Sequence, residues 1–277
     1  MHEPLIALFP PIEHGRTADE VVRQVELLIL EGVLRDGDRL PGERDLAERL
    51  GVSRPILREA LKELENRGLL VSRHGGGTFV ADIIGQVFSA PLAALIARHE
   101  RATADYLEYR RELEGLTAEL AAARATPADR ALLARIVDDM RAAHEAGHFD
   151  DEMEADLELH NAIGEAAHNI VLLHTLRACY RLLSEGIFYH RRLIFDLPGA
   201  RDRLLAQHVA LAEAIMAGDP ARARRAAEEH IDYVTETNRE AARQDDRNRI
   251  ATLRLQQRQA RPANTPRRTA SSSRNDP

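Results

Sequence analysis

The chain has 277 residues, 44% hydrophobic and 30% charged, which suits a folded protein of about two domains and excludes disorder throughout. Its formal net charge of −7 excludes coating of nucleic acid or anionic membrane by bulk charge, though not a local basic face. Aromatics are only 4% and Trp is absent, so the core must be Leu, Ala, Ile and Val, a composition for packed helices rather than a β-sandwich.

No apolar run approaches the roughly 18 residues of a membrane span, and no basic stretch leads into an apolar one at the N-terminus. The single cysteine, Cys179, excludes an intramolecular disulfide and any multi-cysteine metal site. A cytoplasmic protein without a membrane partner is expected. Lys62 is the only lysine, so nearly every cation is a planar arginine able to make bidentate contacts.

Residues 1–16 contain Pro and lack periodicity, which predicts a flexible lead. From Thr17, Val21, Val25, Leu28 and Ile29 fall on one helix face, with Gly32 as the stop. A short helix over 43–50 ends at Gly51. Ser53 is placed to N-cap a second helix running to about Arg67, closed by Gly68. Two β-prone runs, Leu69 to Arg73 and Thr78 to Val80, flank His74-Gly75-Gly76-Gly77 and predict a hairpin. Beyond Ile83, strand signals nearly vanish. Breaks near 98–103, Thr126-Pro127, 147–151, His168-Asn169, 197–199 and 218–220 divide about 160 residues into six or seven helices of ordinary length, a bundle. Residues 247–277 hold eight arginines and one aspartate among Pro, Gln, Ser and Asn, which predicts a disordered basic tail.

On a helical wheel, Arg54, Arg58 and Lys62 fall at about 0°, 40° and 80°, with Glu65 at about 20° among them. Ile56, Leu57, Ala60, Leu61 and Leu64 fill the opposite arc. Ser53 and Arg54 stand at the helix N-terminus, where backbone N–H groups suit a phosphate or a base edge. Two helices about a tight Gly-containing turn fit a helix-turn-helix, whose second helix enters the major groove. A Gly-rich hairpin after it makes a wing. A solvated amphipathic helix would carry the same charges, since 41–81 holds seven cations against six anions.

Four pieces in order resemble one family: Leu40-Pro41-Gly42-Glu43-Arg44-Asp45-Leu46-Ala47, Gly51-Val52-Ser53-Arg54-Pro55-Ile56-Leu57-Arg58-Glu59-Ala60-Leu61, Gly68-Leu69-Leu70, and Gly75-Gly76-Gly77-Thr78-Phe79-Val80. They are similar to the winged helix-turn-helix of GntR-type transcription regulators. The resemblance implies that Arg44, Arg54 and Arg58 contact a double-stranded operator with support from Ser53, that His74 and Gly75 reach the minor groove, and that a homodimer binds a palindromic site.

In the helical region Asp156 and His160 stand at i, i+4 on one face. His208 falls in a helix predicted over 204–216 and His230 in one over 221–237. One carboxylate and three imidazoles suit Zn²⁺ or another first-row divalent ion, but with twelve histidines the spacing alone does not bring these four together. Arg110-Arg111-Glu112-Leu113-Glu114, Asp156-x-x-x-His160, Gln207-His208 through Gly218-Asp219, and His230 are similar to the ligand-sensing domain of the FadR/FCD branch. That likeness implies a divalent metal on Asp156, His160, His208 and His230, and a small carboxylate effector facing Arg110. The residues alone also allow Arg110 to be a surface salt-bridge partner of Glu114. Within the branch, Glu165-Ala166-Ala167-His168-Asn169-Ile170-Val171-Leu172-Leu173-His174 most resembles regulators of pyruvate dehydrogenase complex and lactate genes, repressors whose effector would be pyruvate or lactate.

His144-Glu145-Ala146-Gly147-His148 matches H-E-x-x-H and raises a zinc-peptidase alternative, although Gly147 reads as a helix end. A helical scaffold that binds no DNA is the third class. The expected fold class is mainly α: a winged helix-turn-helix at 17–81, a linker helix at 82–98, an all-α sensing domain at 99–246, and the flexible ends at 1–16 and 247–277.

Overall fold

The structure is a computed structural model that describes residues 3–12, 17–83, 90–182 and 197–260. The N-terminal unit is built from α1 (Glu3–Ile6), α2 (Ala18–Leu30), α3 (Glu43–Leu50), α4 (Arg54–Asn66), β1 (Leu70–Arg73) and β2 (Gly77–Val80). Thr17 caps α2 and Ser53 caps α4, each accepting from a backbone N–H three residues on. Gly51 ends α3 at φ 70°, a left-handed turn that lets α4 start three residues later at a new angle. The strands pair antiparallel with Leu70 opposite Val80 and Arg73 opposite Gly77, and Arg39 adds a bridge to Phe79. Val21, Val25 and Ile29 of α2, Leu50 of α3 and Leu57 and Leu64 of α4 form one buried core.

The lead expected over 1–16 is not loose where it is described. Phe9 is fully buried and Ile12 nearly so, both in this core. The Ile12 N–H donates to Leu50 O at 3.0 Å, and Gln24 Nε2 donates to Pro10 O at 3.1 Å. Leu5 and Leu8 pack against the same core, so four apolar side chains seat a segment that is helical only over Glu3–Ile6.

The second unit holds α5 (Ala90–Arg98), α6 (Glu100–Arg124), α7 (Pro127–Ala146), α8 (Phe149–Ala166), α9 (Ile170–Leu182), α10 (Ala200–Met216) and α11 (Pro220–Ala260). The linker helix expected over 82–98 is described as α5, with 84–89 outside the described residues. A capping box starts α7: Thr126 Oγ1 accepts from Asp129 N at 3.2 Å, and Asp129 Oδ2 accepts from Thr126 N at 2.7 Å. Asn169 caps α9 by accepting from Leu172 N at 3.1 Å. Leu, Ile and many Ala residues of α6–α8, α10 and α11 fill the core, Ala allowing close helix approach. Cys179 is buried in it, and burial pushes its thiol up to about 11, the mark of an inert core cysteine.

The tail expected to be disordered from 247 is helical to Ala260, because α11 continues without a break. Between Pro220 and Pro262 there is no Gly or Pro, and Arg, Gln, Leu and Ala are good helix formers. Residues 261–277 lie outside the described residues.

The turn after α2 rests on α8 and α9. The Arg35 guanidinium lies 3.0 Å from Glu158 and 2.9 Å from Glu165. Arg177 meets the same Glu165 at 2.6 Å, and His174 Nε2 lies 2.9 Å from Leu30 O.

Candidate nucleic-acid interface and candidate metal centre

The apolar arc of α4 is buried and its cationic arc is exposed, as the wheel predicts. Arg44, Arg54 and Arg58 have side chains 82%, 57% and 59% exposed. Arg58 Nε nonetheless meets Glu43 Oε2 at 2.8 Å, with Arg54 Nη2 3.8 Å from the same oxygen, while Arg44 Nε donates to Asp45 at 3.0 Å. Surface pairs of this kind hold about 0–1 kcal/mol and yield to a phosphate. Ser53 Oγ is engaged at the cap, 3.5 Å from Ile56 N. His74 and Gly75 sit exposed at the wing tip, Gly75 at φ 71° in the turn. Behind the tip, Arg73 stacks 4.6 Å from the Phe79 ring centroid. Sequence reasoning missed Glu43 as the carboxylate shared by two arginines.

In the bundle, α8, α10 and α11 bring His160, His208 and His230 together. All three are at most 3% exposed, with one ligand atom from each lying within 4.8 Å of the others. Asp156 Oδ1 lies 3.1 Å from His208 Nε2 and 4.0 Å from His160 Nε2. The four residues named from the sequence therefore converge. The buried Nε2 atoms of His160 and His230 have no hydrogen-bond partner, a costly state for polar atoms that a bound ion would relieve. Burial first, then His208 and His160 nearby, holds His230 well below its ordinary pKa and so neutral, as a metal ligand must be. The donor set of three imidazoles and a carboxylate fits a first-row divalent ion.

Arg110 is a buried residue, not a surface one. Its Nε donates to Glu114 Oε1 in a short contact, its carbon Cζ lies 5.3 Å from the Tyr180 ring centroid, and its buried Nη2 has no hydrogen-bond acceptor. Glu114 Oε2 in turn lies 3.1 Å from His160 Nδ1. Burial alone would raise the Glu114 pKa, but Arg110 and then His160 overcome it and hold the carboxylate well below its usual range.

Two cavities flank the imidazoles. The larger, about 680 Å³ including space open to solvent, reaches Asp156, His208 and His230. The smaller, about 210 Å³, lies on the side of Glu114, His160 and Tyr180.

The H-E-x-x-H residues form no peptidase site. Gly147 ends α7 at φ 72°, and His148, 73% exposed, lies beyond the helix that carries His144. His148 Nδ1 lies 3.2 Å from Asp151, whereas His144 Nε2 lies 2.9 Å from Asp202. Two ligands four residues apart need an unbroken turn between them, which Gly147 removes.

A winged helix-turn-helix joined to a helical bundle that gathers three buried imidazoles defines a DNA-binding regulator. Comparison with known proteins makes the assignment specific. Residues 17–80 match "Bacterial regulatory proteins, gntR family" and residues 105–233 match "FCD domain". The chain belongs to the GntR family of transcription regulators and carries an FCD domain, so it is not an enzyme. It is 40% identical to the "Putative L-lactate dehydrogenase operon regulatory protein" of Escherichia coli (strain K12), over 80% of this chain and 86% of the relative. It is 34% identical to the "Glc operon transcriptional activator" of the same strain, over 79% of this chain and 87% of the relative. The solved structure "Streptococcus agalactiae GntR" is 29% identical with a TM-score of 0.50, covering 79% of this chain and 99% of that one. No helix among the described residues is long and apolar enough to cross a membrane.

Proposed function

We propose that this regulator is a repressor that binds a palindromic operator as a homodimer, and that a small carboxylate such as pyruvate or lactate sets its operator affinity from a metal-containing bundle. In this reading 17–81 binds DNA, 82–98 links and 99–246 senses. The observation that carries it is the buried cluster of His160, His208 and His230 beside Asp156.

Arg54 and Arg58 would exchange Glu43 for phosphate or a base edge, Arg44 and Ser53 would fix the helix N-terminus on the backbone, and His74 with Gly75 would enter the minor groove. A single unit with so few cations binds weakly, so two copies on a palindrome are needed.

Asp156, His160, His208 and His230 would hold the ion, which when bound supplies coordination positions for effector oxygens. Arg110 would face the effector carboxylate through its unsatisfied Nη2. The route to the DNA-binding unit is short. α8 carries Asp156 and His160 toward the centre and Glu158 and Glu165 toward Arg35. A shift of α8 would therefore move the hold on the turn after α2.

A thermal-shift screen of small carboxylates, with and without a chelator, tests this. Ligand at 100 times Kd stabilises by about 2.7 kcal/mol, which is several degrees in a unit of this size. Stabilisation by pyruvate or lactate that chelation or His208→Ala removes is expected. Equal stabilisation with the centre emptied would refute the role of the imidazoles.

A further inference from the structure

Helix α11 outruns the bundle. Arg111 Nε meets Asp232 at 2.8 Å and Arg224 Nη1 meets Glu119 at 2.8 Å, so α11 runs antiparallel along α6. At that register it passes Glu100, the first residue of α6, near Arg243, and beyond Ala241 no described side chain of α11 is buried. The stretch from Gln244 to Ala260 therefore projects about 25 Å past the bundle, at the end where α5 joins α6. Its charge is unlike that of the rest. Residues 247–277 hold eight arginines and one aspartate, whereas residues 1–246 hold thirty cations and forty-four anions. With Arg239 at zero on a helical wheel, Arg243, Arg254, Arg247 and Arg258 fall at about 40°, 60°, 80° and 100°, one cationic stripe, and Arg249 stands apart at about 280°. All six are exposed. Arg243 meets Glu240 at 2.7 Å, with Arg247 3.8 Å from the same carboxylate. From 247 to 275 the sequence has no acidic residue, so Arg254 and Arg258 are like charges one turn apart with no carboxylate to separate them. Leu253 and Leu255, both exposed, point about 160° apart, which leaves no apolar face for a lipid surface. A straight row of guanidinium groups complements a row of phosphates.

We propose that this arginine stripe on the projecting end of α11 is a second DNA-binding element, which holds phosphates of the duplex flanking the site read by the winged helix-turn-helix. It adds affinity and no sequence preference, since contacts to phosphates carry no base information. It also offsets the repulsion that the net negative remainder of the chain exerts on the duplex. This rests on the reading of 17–81 as the operator-binding unit.

The test is fluorescence anisotropy of the full-length protein across a salt series on two duplexes: a site selected from a random pool, and the same site with about 15 base pairs added on each side, roughly 50 Å at 3.4 Å per base pair. Arg247→Gln with Arg254→Gln and Arg258→Gln keeps helix propensity and removes three charges of the stripe. On the long duplex it should lower the slope of log K against log salt by about 2 or more, and on the short duplex leave affinity within about twofold. The same three positions changed to Lys should restore the slope. Arg254→Gln alone should lower it, and Arg249→Gln, off the stripe, should not. An unchanged slope on the long duplex, an equal loss on both duplexes, or equal effects of Arg254→Gln and Arg249→Gln overturns the proposal while keeping the operator-binding unit. A wild type that binds neither duplex overturns that unit's role and the proposal together.

Discussion

Glu114 Oε2 stands 3.1 Å from His160 Nδ1, and the other oxygen of the same carboxylate takes the Arg110 Nε donor. One buried carboxylate thus joins the arginine named from the sequence to one of the named imidazoles. It lies on the Nδ1 side of His160 and leaves Nε2 on the side of Asp156, and the partner of a ligating histidine's other nitrogen is what orients such a ring.

Glu114→Gln should therefore act twice. It leaves Arg110 charged and buried without a counter-ion, at about 3–5 kcal/mol of stability measured by denaturant unfolding. It should also lower zinc affinity about 10- to 100-fold in competition titration. Arg110→Met with Glu114→Leu removes both charges and should be more stable than either single change. A Glu114→Gln protein with unchanged zinc affinity would show that the contact does not position His160.

Asp129 gives a pH signature away from the centre. Burial alone would raise its pKa, but hydrogen bonds from Thr126, and then His168 2.9 Å away, overcome it and lower the pKa. A carboxylate lowered on folding adds stability above its unfolded pKa of about 3.9 and loses it as pH falls through the folded value. The acid limb of Tm against pH should be shallower in Asp129→Asn than in the wild type. Thr126→Ala, which removes the cap and one of the hydrogen bonds to Asp129, should cost about 1 kcal/mol at neutral pH and also shallow the acid limb.

Arg35 is the third lever. It bridges Glu158 and Glu165 from the DNA-binding side, both pairs being partly exposed. Arg35→Ala should leave the bundle's ligand affinity within about twofold and loosen the two units, read as faster amide exchange in the 31–36 turn. If ligand no longer changes DNA affinity in this variant, α8 is the route. If the coupling survives intact, the signal travels elsewhere.

The exposed arginines of α4 give a salt signature. Arg54→Ala with Arg58→Ala should reduce the slope of log K against log salt by about 2 if both meet phosphates. Glu43→Gln, which releases them, should tighten binding at low salt.

Local signals in the sequence were sufficient for the helix starts and stops. Ser53 caps where it was expected to, Thr126 and Asn169 cap helices at two of the expected breaks, and Gly51 and Gly147 end helices. The wing was legible because three glycines sit between two β-prone runs. The Asp156 and His160 pair was legible by i, i+4 spacing, but only family likeness joined the candidates His208 and His230 to it, since no local pattern encodes a meeting of three helices. Glu114 beside His160, and Arg35 between Glu158 and Glu165, are contacts 46, 123 and 130 residues apart that no periodicity announces. Phe9 and Ile12 were missed because the i, i+3, i+4, i+7 spacing of Leu5, Leu8, Phe9 and Ile12 runs through Pro10 and Pro11, which read as loop. The length of α11 was legible in hindsight: the stretch from Pro220 to Pro262 holds no breaker, but its many arginines read as tail composition.

The most direct test joins both ends of the molecule. Fluorescence anisotropy of a duplex selected from a random pool would be read at fixed salt, with and without lactate, for the zinc-loaded wild type and for His208→Ala. The wild type should release the duplex on adding ligand, at least tenfold in Kd, and the variant should bind it equally in both conditions. A duplex affinity that ligand changes equally in both proteins would contradict control through the imidazole centre.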